Sequence, residues 1–348
     1  MSTLHIAILD KFIPPFINLI NDNFQGQNQK FFIYGDSIKF PINTSDNVYL
    51  CKPARYKLLS LLKVLFGVVR AMHSSDKIVL HGLFDTKLIC VLSLCPWLLK
   101  RCHWIIWGGD LYRSKAIRNG YKELLRRVVI KRIRYLITGT PGDVNLARKW
   151  YQATGKHITC FNYTSNVFSG NQLFKIANKK KNYLLIQVGN SGDPTNRHVD
   201  VFNKILNELQ PGSYRLYIPL AYGDSKYIEH IKSEAIRIFG DAAKVQTELL
   251  PIDIYNEMQR NIDIAIFAHE RQQAFGNIIN LLGLGKTVYI SDISTLNEVL
   301  ISRNIKVFSF ENDKLQTQCT DVALMNSEKI VDCFSKEKLI KSLSAWIL

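Results

Sequence analysis

The chain has 348 residues, 47% hydrophobic and 21% charged, an ordinary globular composition with enough apolar mass for two cores. Its 45 Lys and Arg against 29 Asp and Glu give a formal net charge of +16, which favours anionic partners: nucleic acid, anionic lipid headgroups or phosphorylated substrates. The seven cysteines are odd in number and scattered, with no CxxC pair, which argues against a disulfide framework or a zinc cluster and for reduced thiols in a cytosolic protein.

In chain order, residues 1–10 lack the basic start and apolar run of a signal peptide and read as a buried first strand over 5–9. Further strands are expected at 30–34, 47–50, 77–80, 103–107 and 134–138, with helical periodicity over 56–72 and 85–99. The longest apolar runs, 58–69 and 88–99, are interrupted by Lys63 and Pro96, and both fall short of the roughly 20 residues that span a bilayer. The alternation pauses at the polar stretch 168–182, which ends in Lys179, Lys180 and Lys181 and reads as a linker. Strands resume at 183–188, 214–218, 263–267 and 287–290. The pattern predicts an α/β protein of two doubly wound, Rossmann-like domains, 1–167 and 183–330, facing each other across a cleft, with a C-terminal helix in 331–348 that packs back on the first.

Two segments of the second half look built for an anion. In the first, a buried strand ends at Val188 and runs into Gly189-Asn190-Ser191-Gly192-Asp193 before a helix expected near Thr195 or Asn196. Glycine permits close backbone approach, and a helix N-terminus offers unpaired N–H groups, so this loop suits a diphosphate. A plain capped turn is the alternative. In the second, a strand leads into His269-Glu270-Arg271-Gln272-Gln273-Ala274-Phe275-Gly276-Asn277 and a helix. Arg271 can clamp a phosphate and the two amides can read a base or ribose, whereas His269 and Glu270 read as loop residues. Gly285-Lys286-Thr287 is not a phosphate loop, because it precedes a strand and Asn280 stands where glycine is needed. No GxGxxG follows the first strand, which weakens a nicotinamide dehydrogenase.

In the first half, His81-Gly82 and Gly108-Gly109-Asp110 lie just past apolar strands. Either His81 or Asp110 could take a proton from a hydroxyl; a core histidine and a helix cap are the respective alternatives. Residues 113–134 carry nine Lys and Arg and one acid, Glu123, with Ile117, Tyr121, Leu124, Leu125 and Val128 spaced along one helical face. Such a helix can lie on anionic lipid through Arg118, Lys122, Arg126, Arg127 and Lys131, with Lys52, Arg55, Lys57, Lys63 and Arg70 flanking a second apolar stretch; a solvated domain helix is the alternative. No nucleic-acid-binding module is recognisable.

His81-Gly82, His103-Trp104-Ile105-Ile106-Trp107-Gly108-Gly109-Asp110-Leu111-Tyr112, Val188 to Asp193 and Arg271-Gln272-Gln273 occur in an order that resembles glycosyltransferase family 56, the 4-alpha-L-fucosyltransferase family. The resemblance implies a GT-B fold and a TDP-sugar donor held in the C-terminal domain by Gly189, Asn190, Ser191, Gly192, Arg271, Gln272, Gln273, Gly276 and Asn277. It implies a polyprenyl-diphosphate-linked acceptor on the N-terminal domain, with Asp110 the first choice of base and His81 the second. It further implies no metal or other cofactor, no nucleic acid, and a peripheral place on the cytoplasmic face of the bacterial inner membrane. The chain departs from the family pattern at Gly109, where alanine is usual, at Ala274-Phe275, where glycine and isoleucine are usual, and at Asn277, so the transferred sugar can differ. Two rivals remain. A nucleotide-sugar epimerase would not need the basic helices, and a non-catalytic anionic-lipid or nucleic-acid binder would not need the two loops.

Overall fold

Short runs of Val, Ile, Leu and aromatic residues that are buried on both faces form strands only where helices cover both sides, and parallel sheets meet that condition. The structure, a computed structural model, describes residues 1–38, 40–43, 45–51, 58–112, 120–168, 170 and 182–348, with backbone alone for 58–65. It divides into two units, Met1–Ser165 with Lys336–Leu348, and Asn166–Ser335.

The first unit holds β1 (Ser2–Ile8), β2 (Asn28–Tyr34), β3 (Val48–Cys51), β4 (Lys77–His81), β5 (Cys102–Ile105), β6 (Tyr135–Ile137) and β7 (Lys156–Ile158), all paired in parallel in the order β3-β2-β1-β4-β5-β6-β7. Its helices are α1 (Ile13–Asn23), α2 (Leu58–His73), α3 (Thr86–Leu94), α4 (Tyr121–Arg132) and α5 (Pro141–Tyr151). The chain winds outward from β1 to β3, then returns to lay β4 beside β1, so strand order reverses between these two. Their register sets His5 opposite Val79 and Ala7 opposite His81. All five residues of β4 are buried. The helix expected over 85–99 stops at Leu94, and a 3-10 turn follows from Pro96 to Arg101, because proline has no N–H to continue the ladder and its ring strikes the preceding turn.

The second unit holds β8 (Leu184–Val188), β9 (Tyr214–Pro219), β10 (Ala243–Gln246), β11 (Ile264–Phe267), β12 (Thr287–Ile290) and β13 (Phe308–Ser309), again all parallel, in the order β10-β9-β8-β11-β12-β13. Here the reversal lies between β8 and β11. The helices are α6 (His198–Glu208), α7 (Ser225–Phe239), α8 (Ile252–Asn261), α9 (Phe275–Gly283), α10 (Thr295–Ile301) and α11 (Thr320–Cys333). β7, β10 and β13 escape sequence patterning because they are two to four residues long and only partly buried. Of the expected linker, 169 and 171–181 lie outside the described residues. Its first residue, Phe168, is packed rather than free: its amide donates to the Phe334 carbonyl at 2.9 Å, and its ring lies where a Cβ on Gly283 would sit.

The last helix, α12 (Lys336–Ile347), belongs to the first unit. It buries Leu339, Leu343, Trp346 and Ile347, and stacks Trp346 on His103 at 6.2 Å between ring centroids. Lys77, at the start of β4, is 5% exposed and donates to the Trp346 and Ile347 carbonyls, where a cation complements the helix C-terminus. All seven cysteines are free thiols. No described helix is long and apolar enough to cross a membrane. Trp346→Ala is expected to destabilise the first unit by about 3–5 kcal/mol, the usual cost of emptying a core aromatic site, read as a lower urea midpoint by circular dichroism.

Candidate active site

Ligands in doubly wound sheets bind beyond the carboxyl ends of the strands where strand order reverses. In the second unit that crevice is formed by the loops after β8 and β11, and both segments singled out from the sequence meet there. Arg271 Nη2 lies 2.6 Å from Asp193 Oδ2, and its Nε lies 3.4 Å from Thr195 Oγ1. Gln273 joins the loops further: its Nε2 donates to Asn190 Oδ1 at 3.2 Å and Ser191 Oγ at 3.1 Å, while the Thr195 hydroxyl donates to Asp193 Oδ1 at 2.6 Å. Burial alone would raise the Asp193 carboxyl. The hydroxyl and amide of Thr195 and the Arg271 charge outweigh it and hold Asp193 below the usual carboxylate range. Arg271 Nη1 has no partner among the described residues.

The backbone of the first loop behaves differently from the expectation of an open glycine cradle. Gly189 has φ +64°, and an added Cβ would meet Asn196 Oδ1 at 2.8 Å. The amides of Gly189, Asn190 and Gly192 are all engaged internally, by the Ile266 carbonyl, Asn196 Oδ1 and the Tyr222 carbonyl. Gly192 packs against Gly223 and Ile228, where a side chain would collide. These glycines therefore serve close packing, and polar side chains dominate the crevice. Asn190 donates to the Tyr222 hydroxyl at 3.0 Å, and Asn277 accepts from Tyr255 at 3.0 Å. Gly276 lies in the first turn of α9, and Gln272 keeps a buried Oε1 without a partner. His269 is fully buried, and burial, followed by the Arg271 charge, lowers it to about 4, so it is neutral. Asp193 and Thr195 were missing from the sequence-derived set; the short Asp-Pro-Thr turn ahead of a helix was the available signal.

In the first unit, His81 ends β4 and is 3% exposed. Its Nε2 lies 3.0 Å from His5 Nδ1 and its Nδ1 lies 2.7 Å from the Tyr163 hydroxyl; His5 Nε2 lies 2.9 Å from Gln29 Oε1. With the Gln29 oxygen as acceptor, each neutral imidazole donates from Nε2 and accepts at Nδ1. Tyr163 then donates to His81 and accepts from Trp107 Nε1 at 2.7 Å. Burial, and after it the neighbouring His5, hold His81 well below the usual histidine value. Both its ring nitrogens are engaged, so the structure leaves none facing a substrate.

Asp110 is fully buried. Its Oδ2 accepts from the Leu83 amide at 2.8 Å and Trp104 Nε1 at 2.7 Å, and its Oδ1 accepts from the Trp107 amide at 3.0 Å. The Arg126 guanidinium donates to the carbonyls of Leu83 and of Asp110 itself. Arg126 is thus a core residue, 2% exposed, and this corrects its expected place on a membrane surface: buried main-chain carbonyls of Leu83 and Asp110 need donors and draw the guanidinium inward. The buried face of α4 is Glu123, Arg126, Val129 and Ile130, while Tyr121 and Leu124 are exposed. Lys122, Arg127 and Lys131 are exposed, with Arg127 paired to Glu123 at 3.3 Å and Lys131 donating to Gln152 at 2.8 Å. Arg118, like Lys52, Arg55 and Lys57, lies outside the described residues.

Asp10, passed over in the sequence, stands two residues past β1, on the strand adjoining β4. It is half-buried, and its Oδ1 accepts from the Phe12 amide at 2.8 Å. Burial raises its carboxyl to about 6, against the backbone hydrogen bonds from Phe12 and Ile13 and the charge of Lys11. A lone carboxylate directly after the apolar run of the first strand was the signal that could have found it.

Residues 55–336 match the family described as 4-alpha-L-fucosyltransferase, glycosyl transferase group 56. The chain belongs to glycosyltransferase family 56. Its fold is shared with sucrose-phosphate synthase from Thermosynechococcus elongatus (TM-score 0.67, 12% identity, 99% of this chain and 98% of that one). It is shared with WaaG, a glycosyltransferase involved in lipopolysaccharide biosynthesis (0.61, 11%, 99% and 98%). It is also shared with Anabaena HepE, in complex with UDP and glucose (0.62, 11%, 100% and 94%). These likenesses establish a GT-B fold. In this family 56 glycosyltransferase Ala274 caps α9 at φ +57°, a conformation that costs alanine roughly 1 kcal/mol more than glycine.

Asp110→Asn turns an amide NH2 toward a group of N–H donors and removes charge-assisted bonds. It is expected to cost about 2–4 kcal/mol of stability and to lower the melting temperature, with at most a modest loss of activity per folded molecule. A base at this position would give the reverse: collapsed turnover at an unchanged melting temperature.

Proposed function

We propose that this glycosyltransferase moves a 6-deoxy, fucosamine-type sugar from a TDP-sugar to a polyprenyl-diphosphate-linked saccharide during assembly of a cell-envelope polysaccharide, O-antigen or enterobacterial common antigen. The observation that carries the reading is the meeting of Arg271, Asp193, Thr195, Asn190 and Gln273 at the reversal point of the second sheet. A departing nucleoside diphosphate needs its growing charge met by fixed donors. Arg271 is shielded but not sealed, its side chain 18% exposed, and it can turn from Asp193 toward a diphosphate. That supports leaving-group stabilisation by protein groups, without metal. The neighbour holding UDP and glucose supports a nucleotide-sugar donor in this fold. Ala274-Phe275 and Asn277, beside the donor loop, are where the transferred sugar would be selected.

Titration of the full chain with TDP in the presence of EDTA is expected to give binding, and Arg271→Ala to weaken it by about 1.5–3 kcal/mol, roughly 10- to 150-fold in Kd. Absence of binding, or strict dependence on magnesium, counts against this donor site.

The membrane-bound acceptor is supported by the outer side of the first unit. α3, the 3-10 turn after it and α4 pack side by side and expose Leu94, Trp97, Tyr121 and Leu124. Lys100, Arg101, Lys122 and Arg132 are exposed on the same elements. We infer peripheral attachment of this face to anionic lipid at the cytoplasmic side of the inner membrane. Flotation with phosphatidylglycerol-containing vesicles should succeed, weaken with salt as screening shortens the attraction, and weaken again in Leu124→Glu. Equal flotation with neutral vesicles contradicts the electrostatic part.

A further inference from the structure

The first unit has its own strand-order reversal, between β1 and β4, and Asp10 is an acid two residues past β1 there. Asp10 Oδ1 accepts from the Phe12 amide at 2.8 Å, the Ile13 amide also supports the carboxyl, and the group stays only half-buried. Beside it lies a group of partly exposed aromatic rings. Phe12 meets Trp107 edge-on at 5.6 Å, Phe84 meets Trp107 edge-on at 6.0 Å, and Trp107 meets Tyr163 edge-on at 5.2 Å between centroids. Trp107 is held from beneath by the Tyr163 hydroxyl and, through its amide, by Asp110. Held rings with a half-buried carboxylate beside Phe12 and Tyr163 suit a sugar, whose ring presents an apolar C–H face and polar hydroxyl edges.

We propose that Asp10 is the base that takes the proton of the acceptor hydroxyl, with Phe12, Phe84 and Trp107 as the surface on which the acceptor sugar rests. The assignment rests on the transferase reading above. In the step, the acceptor O–H bond breaks and its proton passes to the Asp10 carboxylate. The acceptor oxygen bonds to the anomeric carbon of the donor sugar. The bond from that carbon to the diphosphate oxygen breaks, and its electron pair leaves on the nucleoside diphosphate. Nothing is oxidised or reduced. A carboxyl held at about 6 is ionised at neutral pH and basic enough to accept a proton, which is where general-base efficiency is greatest. The charged and titratable groups that face it are Lys11, on its own loop, and Tyr163, whose hydroxyl donates to His81. His81 and Asp110 act in this scheme as positioning residues that hold Tyr163 and Trp107.

The test compares the full chain with Asp10→Asn, using a TDP-sugar and a lipid-linked saccharide for transfer and TDP alone for binding. Wild-type kcat/KM is expected to fall on the acid side with a midpoint near 6. Asp10→Asn is expected to lower kcat/KM by about 100- to 10,000-fold, to abolish that acid limb in the remaining activity, and to leave TDP affinity unchanged. Asp10→Glu keeps an acid one methylene further out and should retain more activity than Asn, with a shifted midpoint. Phe12→Leu should raise the acceptor KM without changing TDP affinity. Asp10→Asn with near wild-type transfer, or with the same acid limb, overturns the assignment and leaves the donor-site reading standing. A wild-type chain that binds TDP but transfers no sugar overturns the transferase reading and this assignment together.

Discussion

A fully buried carboxylate that receives three hydrogen bonds decides how the chain turns at the working edge of the first unit. Asp110 gathers the amide after Gly82, the indole of Trp104 in β5 and the amide of Trp107, while Arg126 in α4 closes the same loops through their carbonyls. A buried charge is tolerated only when such partners surround it, so removing any one of them exposes the others to an unmet desolvation cost. From this knot Trp107 projects to the Tyr163 hydroxyl, and from Tyr163 the chain of neutral imidazoles runs back through His81 and His5 to Gln29. Trp107 and Tyr163, two of the rings near Asp10, are held by hydrogen bonds of this inner network.

The second unit handles charge in the opposite way. Asp193 and Arg271 are paired at 2.6 Å but stay partly open, with side chains 32% and 18% exposed. The pair costs less to separate than a sealed one, because water can solvate either charge. As a pair, Arg271 and Asp193 are close to neutral, and the guanidinium stays partly open to water. The amide of Gln273, donating to Asn190 and Ser191, ties both loops together whether or not the ion pair is closed.

The two parallel sheets and most of the central strands were legible because buried runs such as Lys77–His81 and Ile264–Phe267 are apolar, short and bounded by turn residues. The two donor-type loops were legible for the same reason: each follows such a strand. The glycine cradle was not, because glycine serves close packing and ligand approach equally well, and only the neighbours of Gly192, namely Gly223 and Ile228, separate the two uses. The lipid-facing stripe on α4 was misread by a short step around the helix, since periodicity assigns arginine to the wet side and cannot foresee carbonyls that draw Arg126 inward.

The sequence by itself determined the fold class and the order of the loops, because strand and helix periods are local properties of the chain. It also carried the family motifs, which depend only on residue identity and spacing. Which acid is available was decided by tertiary structure. Asp110 follows two glycines at a strand end, and Asp10 follows an unremarkable apolar run. Yet Asp110 is closed in by Leu83, Trp104 and Trp107, while Asp10 is only half-buried at the rim, with nearby backbone amides as its donors. A carboxylate's chemistry is set by the donors and water that surround it, and those come from parts of the chain far apart in sequence.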